Sequence, residues 1–434
     1  MKRPIPRLLV ALCYLVFYLT FSAAYAQPDS FIPGDALPDA PELAARGAYK
    51  VGVRTIELIN KGQIDILKAK GGTQPVYDRK LKVEIWYPAN LPSDSKELVM
   101  YESVLGRSND PNRPIVPFTF TGRAARDAAP LTTEGVFPLV IVSHGYPGSR
   151  YLLTYLTENL ASKGYVVAAI DHTESTYQDL SGFQSTLLNR PKDILFVLNQ
   201  LAEQSKPTGK HFLSGLSDAN NTALIGYSMG GYGVLNVAGA GFSQQLASFF
   251  INMTGGSKAI DVRTTQSAAY KASMDSRIRA VVAFAPWGME RGIWDAEGLQ
   301  GLKVPTFFIA GSQDDVSGYE KGVKAIYTGS INAERYMLVY INARHNVAPN
   351  PPPAQTLQAD VSIDEYYHYA EPAWNERRIN NINQHFVTAF LGIHLKKQDY
   401  HKYLQPESDA TKPWPGFKPR TSVGLELLHN SPAK

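Results

Sequence analysis

The sequence predicts an α/β fold: a mostly parallel central sheet, helices on both of its faces and a lid-like insertion. Three observations predict it. Short continuous apolar runs such as Leu139–Val142 mark strands buried on both faces. Segments with apolar residues at helical spacing alternate with those runs. The composition, 44% hydrophobic and 19% charged over 434 residues, is that of a globular chain with a sizeable core.

The elements follow in order. Residues 1–26 have a positive start (Lys2, Arg3, Arg7), a 14-residue apolar run from Leu8 to Phe21 and an Ala24-Tyr25-Ala26 end. This is the layout of a secretory signal peptide cut after Ala26. The run is short for a membrane span, which takes roughly 20 residues. No later segment is apolar enough to span, so no stable membrane insertion and a periplasmic or secreted location are expected. Residues 27–48 read as a loose leader. Tyr49–Ile59 and Leu81–Tyr87 alternate in polarity and read as antiparallel strands. Residues 88–136 read as an irregular insertion. Strands are expected at Leu139–Val142, Tyr165–Ile170, Thr222–Tyr227, Ile278–Phe284, Val304–Ala310 and Tyr336–Ile341. Helices are expected at Tyr151–Lys163, Pro191–Leu201 with Pro191 near the first turn, Met229–Gly239, Gly318–Tyr327 and Trp374–Leu395. Residues 240–275 read as the lid-like insertion, and 401–434 as a C-terminal tail. One domain spans 49–400.

Charge narrows the partners. Lys2, Arg3 and Arg7 are three of the 43 basic residues, so the 40 that remain face 39 acidic ones. A nucleic-acid binder would carry a basic surplus in its folded part. The lone cysteine, Cys13, leaves no disulfide, thiolate metal site or cysteine nucleophile beyond it. No cluster of histidines and carboxylates at ligand spacing suggests a metal.

Four strand ends carry the chemistry. Gly226-Tyr227-Ser228-Met229-Gly230 is Gly-x-Ser-x-Gly between a strand and a helix. That context forces a tight turn which exposes the serine hydroxyl as a nucleophile. Ser143-His144-Gly145-Tyr146 follows the first buried strand. Its loop is placed to supply an oxyanion donor from Tyr146, the other being the N–H of Met229 after the nucleophile. His144 is expected to pack and shape this loop rather than move protons, and His172 could line the cleft. Gly311-Ser312-Gln313-Asp314-Asp315 follows a later strand. Asp314 is the favoured partner for a catalytic imidazole, with Asp315 the alternative and Glu290 behind both. Among nine histidines, only His345 follows the last expected strand in a short turn.

The order Ser228, Asp314, His345 is that of the α/β-hydrolases. Through Pro138–Arg150, Tyr165–Thr173, Ala223–Gly233 and Val304–His345, the chain resembles the secreted bacterial dienelactone-hydrolase-like and platelet-activating-factor-acetylhydrolase-like serine hydrolases. Tyr146 with Met229 is similar to the oxyanion pair of cutinase-like polyester hydrolases. The same resemblance implies substrate contact from Trp287 or Trp294. There are departures: dienelactone hydrolases use cysteine where Ser228 stands, acetylhydrolases hold their acid one strand earlier, and polyester hydrolases lack an insertion like 240–275. The resemblance implies an exported enzyme that cleaves small or lipid-like carboxylic esters through an acyl-serine, without a cofactor. A peptidase or amidase on the same scaffold shares these motifs. A non-catalytic binding protein is the third reading, and the filled triad positions speak against it.

Overall fold

The computed structural model describes residues 31–70, 72–92, 94–405 and 412–433, so the expected signal peptide lies outside the described residues. The chain divides into Met1–Ile32 and Pro33–Lys434, and the architecture below is that of the second unit.

Thirteen strands are described: β1 (Lys50–Ile64), β2 (Val76–Asn90), β3 (Val99–Leu105), β4 (Val116–Gly122), β5 (Ala125–Arg126), β6 (Ala129–Pro130), β7 (Phe137–Ser143), β8 (Val166–Asp171), β9 (Ser217–Tyr227), β10 (Ile278–Phe284), β11 (Thr306–Gly311), β12 (Arg335–Tyr340) and β13 (Leu425–Asn430). The main sheet runs β13-β12-β11-β10-β9-β7-β8-β2-β1-β5. From β8 to β12 every pairing is parallel, as is that of β1 with β5, while β2 pairs antiparallel with β8 and β1, and β13 with β12. The helices are α1 (Thr154–Ser162), α2 (Phe183–Gln204), α3 (Met229–Val237), α4 (Gln244–Met253), α5 (Ala268–Ala272), α6 (Ala296–Gln300), α7 (Lys324–Gly329), α8 (Ile363–Tyr366) and α9 (Glu376–Lys396). Among the described residues no helix is long and apolar enough to cross a membrane.

The apolar runs work as two-sided strands. Leu139 and Ile141 of β7 join the core on one face, and Val140 and Val142 join that on the other. The same alternation divides Val281 and Ala283 from Ala280, Val282 and Phe284 in β10. Neighbouring side chains leave a strand on opposite faces, so a strand covered on both sides must be apolar throughout.

Four expectations change. The 27–48 leader is docked where it is described. Leu37 N–H donates to Asn381 Oδ1 (2.9 Å), Leu43 N–H to His385 Nδ1 (3.1 Å), and Gln384 Nε2 donates to Gly34 O (3.0 Å). These polar side chains of α9 satisfy the backbone of a segment with little periodicity of its own. The 88–136 insertion holds the β3–β4 hairpin, whose Tyr101 is buried and accepts from Trp86 Nε1 (2.7 Å). The tail at 401–434 contributes β13, which caps the β12 edge in antiparallel register.

Helix α2 starts eight residues before Pro191, which sits in its interior. Proline cannot donate to the carbonyl four residues back. Here that carbonyl, Leu187 O, accepts from the Tyr232 hydroxyl of α3 (2.7 Å), so the helix continues past it.

Segment 240–275 carries α4 and α5 and anchors to α3. Phe242 stacks on Tyr232 with ring centroids 5.4 Å apart, and Leu246 and Phe250 are buried in the core. Phe249 points outward, 54% exposed. The apolar cluster of α4 is thus mainly core packing. Phe250→Ala is expected to cost about 3–5 kcal/mol of stability. Thermal melts should show this as a lower Tm, with no change in the preference among esters of different acyl length.

Candidate active site

Ser228 sits on the turn between β9 and α3 with φ 53° and ψ −113°. Such backbone costs about 1–3 kcal/mol and persists only where the surroundings impose it. Here they do. Ser228 N–H donates to Phe284 O (2.9 Å), and Ser228 O accepts from Tyr232 N–H (3.0 Å) and Trp287 N–H (3.1 Å). The flanking glycines are required by space. A Cβ on Gly226 would strike the Gly230 carbonyl, and one on Gly230 would strike the Ser143 carbonyl.

His345 lies in the turn after β12. Its Nδ1 is 3.0 Å from both Oδ1 and Oδ2 of Asp314. Burial alone would raise the Asp314 carboxyl, but His345 and the N–H groups of Ser317 and Val316 hold it below the ordinary carboxylate range. Asp314 Oδ1 accepts from Val316 N–H (2.9 Å) and Ser317 N–H (2.8 Å). An ionised carboxylate only accepts, so Nδ1 carries the imidazole proton and Nε2 is left as a base. Asp315 turns away and pairs with Arg344 at the surface.

Two further groups bring the histidine turn to Ser228. The Tyr227 hydroxyl donates to Asn346 Oδ1 (2.9 Å), and the Tyr227 ring lies 5.2 Å from the His345 ring. The residue before Ser228 is thereby tied to the residue after His345. Glu371 accepts from the N–H groups of Arg344 (2.7 Å) and Asn346 (2.6 Å), gripping the turn on both sides of His345. Burial pushes the Glu371 carboxyl up, against those two N–H groups. No motif surrounds Glu371; only the tertiary contact reveals it.

The loop after β7 passes beside Ser228. A Cβ on Gly145 would lie 3.6 Å from Ser228 Cβ. Among the described residues no backbone acceptor is found for the N–H of Tyr146 or of Met229, the two expected oxyanion donors. Met229 opens α3, where helical N–H groups have no partner within the helix. His144 is buried with Nδ1 2.7 Å from Gly145 O, and burial, Arg190 and His172 hold its pKa well below the ordinary value. His172 is likewise buried and does not line the cleft.

The two tryptophans part company. Trp287 follows β10, donates its N–H to Ser228 O and sets its ring 5.3 Å from that of Phe183. Phe183 lies 5.3 Å from the Tyr146 ring, so Tyr146, Phe183 and Trp287 form an edge-to-face strip. Phe183, at the first turn of α2, carried no signal in the sequence. Trp294 is 2% exposed and packs on Tyr232 at 6.0 Å, in the core. The expectation that it contacts substrate is corrected: the chain turns back after Gly292 and buries the indole.

Comparison with known proteins places the chain among ester hydrolases in likeness. Residues 116–195 match the family model for platelet-activating factor acetylhydrolase, isoform II. A cutinase, est1 of Thermobifida alba, is 21% identical over 217 residues, covering 50% of this chain and 56% of that protein. The chain thus spans little more than half the length of that relative. A cutinase of Thermobifida fusca is 22% identical over 258 residues, 59% of this chain and 64% of the other. A bis(hydroxyethyl) terephthalate hydrolase of Streptomyces coelicolor is 30% identical over 116 residues, 27% of this chain and 33% of that protein. The solved structure of a ferulic acid esterase from Streptomyces cinnamoneus superposes with a TM-score of 0.55 at 19% identity, covering 90% of this chain and 99% of the other. The chain therefore has the α/β-hydrolase fold and resembles serine hydrolases of the acetylhydrolase and cutinase kind.

Proposed function

We propose that the protein is an exported hydrolase of small carboxylic esters, acting through an acyl-serine at Ser228. The observation that carries this is the joined geometry of nucleophile and base. The strained Ser228 turn is tied through Tyr227 and Asn346 to a His345 whose Nδ1 is held by Asp314. His345 Nε2 takes the hydroxyl proton as Ser228 Oγ attacks the ester carbonyl carbon. The oxyanion is stabilised by the N–H groups of Met229 and Tyr146. The intermediate collapses, and His345 returns the proton to the departing alcohol. Water, activated by the same imidazole, then releases the acid. None of these steps calls for a cofactor. Export is supported by the pattern of residues 1–26.

Support for an ester comes from the relatives, among them cutinases and a terephthalate-ester hydrolase. The strip of Tyr146, Phe183 and Trp287 supplies an apolar surface beside the nucleophile. We assign it to the acyl or aromatic part of the substrate. The test is a panel of p-nitrophenyl esters of increasing acyl length, with peptide p-nitroanilides alongside. Esters should be turned over and anilides not. Phe183→Ala and Trp287→Ala should shift the chain-length profile by about 1–3 kcal/mol per lost methylene contact at most. Faster cleavage of the anilides would replace the esterase reading by an amidase, and an unchanged profile would remove the strip from the substrate site.

A further inference from the structure

Arg190 of α2 is among the largest fully buried side chains of the protein. A buried cation is ordinarily paired with a carboxylate. The adjacent Asp193 is instead bonded by Arg79, through Nε to Oδ1 (2.8 Å) and Nη2 to Oδ2 (2.9 Å). Arg190 directs its Nη donors at neutral acceptors of the loop after β7 and the one after β8. Nη1 bonds the carbonyl of His144 and reaches Ser143 Oγ (3.4 Å). Nη2 bonds Gly145 O (3.3 Å) and the Ser175 hydroxyl. Gly233 of α3 makes room for the stem, since a Cβ there would lie 2.6 Å from Arg190 Cγ. The side chain thus lies between the oxyanion loop and the nucleophile helix.

We propose that Arg190 is a positioning residue for the oxyanion hole, fixing the carbonyls of His144 and Gly145 so that the Tyr146 N–H faces the reacting carbonyl. The inference rests on the acyl-serine reading above. The Gly145–Tyr146 peptide is trans, so its C=O and N–H point in opposite directions. Gly145 O is held on the inner side by His144 Nδ1 (2.7 Å) and Arg190 Nη2 (3.3 Å), which turns the Tyr146 N–H outward. His144 keeps its proton on Nδ1 because its Nε2 accepts from His172 N–H (3.2 Å).

A second layer steadies Arg190. Ser143 Oγ is 2.9 Å from His172 Nε2, and His172 Nδ1 is 2.9 Å from Asp193 Oδ2. This Ser–His–Asp chain has the spacing of a catalytic triad but is wholly buried, out of reach of substrate. Burial, with Arg190 close by, pulls the His172 imidazole down to about 3, against the pull of Asp193. Neutral His172 donates Nδ1–H to Asp193 and accepts a hydrogen bond from the Ser143 hydroxyl at Nε2. The Ser143 lone pairs are then turned to Arg190.

The test is Arg190→Lys, which keeps the charge but lacks the planar fork that reaches both carbonyls. Active sites are titrated with a fluorophosphonate run to completion, so turnover is expressed per competent site. The expected result is a kcat per titrated site about 100-fold lower, as for an ångström-scale misplacement, with KM within about threefold. Affinity for a boronic acid, which mimics the tetrahedral adduct, should fall in parallel. A merely structural role would reduce the number of titratable sites and leave kcat per site within about threefold of wild type; that overturns the proposal. If Arg190→Lys yields no titratable protein, the near-isosteric Ser143→Ala decides. It should lower kcat per site about tenfold, part of that same displacement effect, and wild-type turnover would refute the role. An inert Ser228→Ala beside a normal Arg190→Lys removes Arg190 alone, whereas an active Ser228→Ala removes the acyl-serine reading itself.

Discussion

Ser228→Ala is expected to lower kcat for p-nitrophenyl esters about a million-fold, the scale seen when a serine triad loses its nucleophile. The loss should appear without loss of fold. The turn at φ 53° is imposed by hydrogen bonds to Phe284, Tyr232 and Trp287, all made by the Ser228 backbone. Alanine keeps those bonds and meets the same strain, so the melting curve should stay close to wild type. Steady-state kinetics and a thermal melt on the same preparation check both halves. Activity retained within an order of magnitude would place the nucleophile elsewhere.

Asp314→Asn is expected to lower kcat about ten-thousand-fold. The carboxylate holds the proton on His345 Nδ1 from 3.0 Å. An amide N–H₂ in its place would favour the opposite tautomer, with Nε2 protonated and unable to accept from Ser228. Asp315→Asn should change kcat by less than about threefold, because its pair with Arg344 is half exposed and worth little. Activity assays on the two variants rank the carboxylates, and the reverse ranking would reassign the acid. The Asp314 carboxyl is held below its ordinary range when folded. The stability it contributes is full above the unfolded carboxyl pKa and is lost as pH falls through the lower folded value. The Asp314→Asn variant should therefore show a weaker acid dependence of Tm than wild type.

The parallel sheet was legible because burial on both faces forces apolar runs, as at Phe137–Ser143 and Ile278–Phe284. The edges were not. Leu425–Asn430 is a strand because β12 offers it an unpaired edge, and nothing local distinguishes it from a tail. The leader reads as loose because its backbone partners, Asn381, Gln384 and His385, lie some 350 positions away on α9 (a separation of 344 for Asn381). Ser228, Asp314 and His345 stood out because each follows a strand in a short motif, and the structure brings His345 onto Asp314 as the spacing suggests. Trp294 was misjudged because a tryptophan near a strand end reads alike whether it faces the cleft or the core. The places of Arg190, Phe183 and Glu371 are set only by tertiary contacts, and an arginine or glutamate inside a polar stretch reads as solvated surface.

The most direct test of the acyl-serine account is covalent labelling of the wild-type protein with a fluorophosphonate, followed by peptide mass spectrometry. The account predicts a single stoichiometric adduct on the peptide that contains Ser228, with parallel loss of esterase activity and no adduct on Ser228→Ala. An adduct on another serine with activity lost in step, or full activity after complete modification of Ser228, would contradict it.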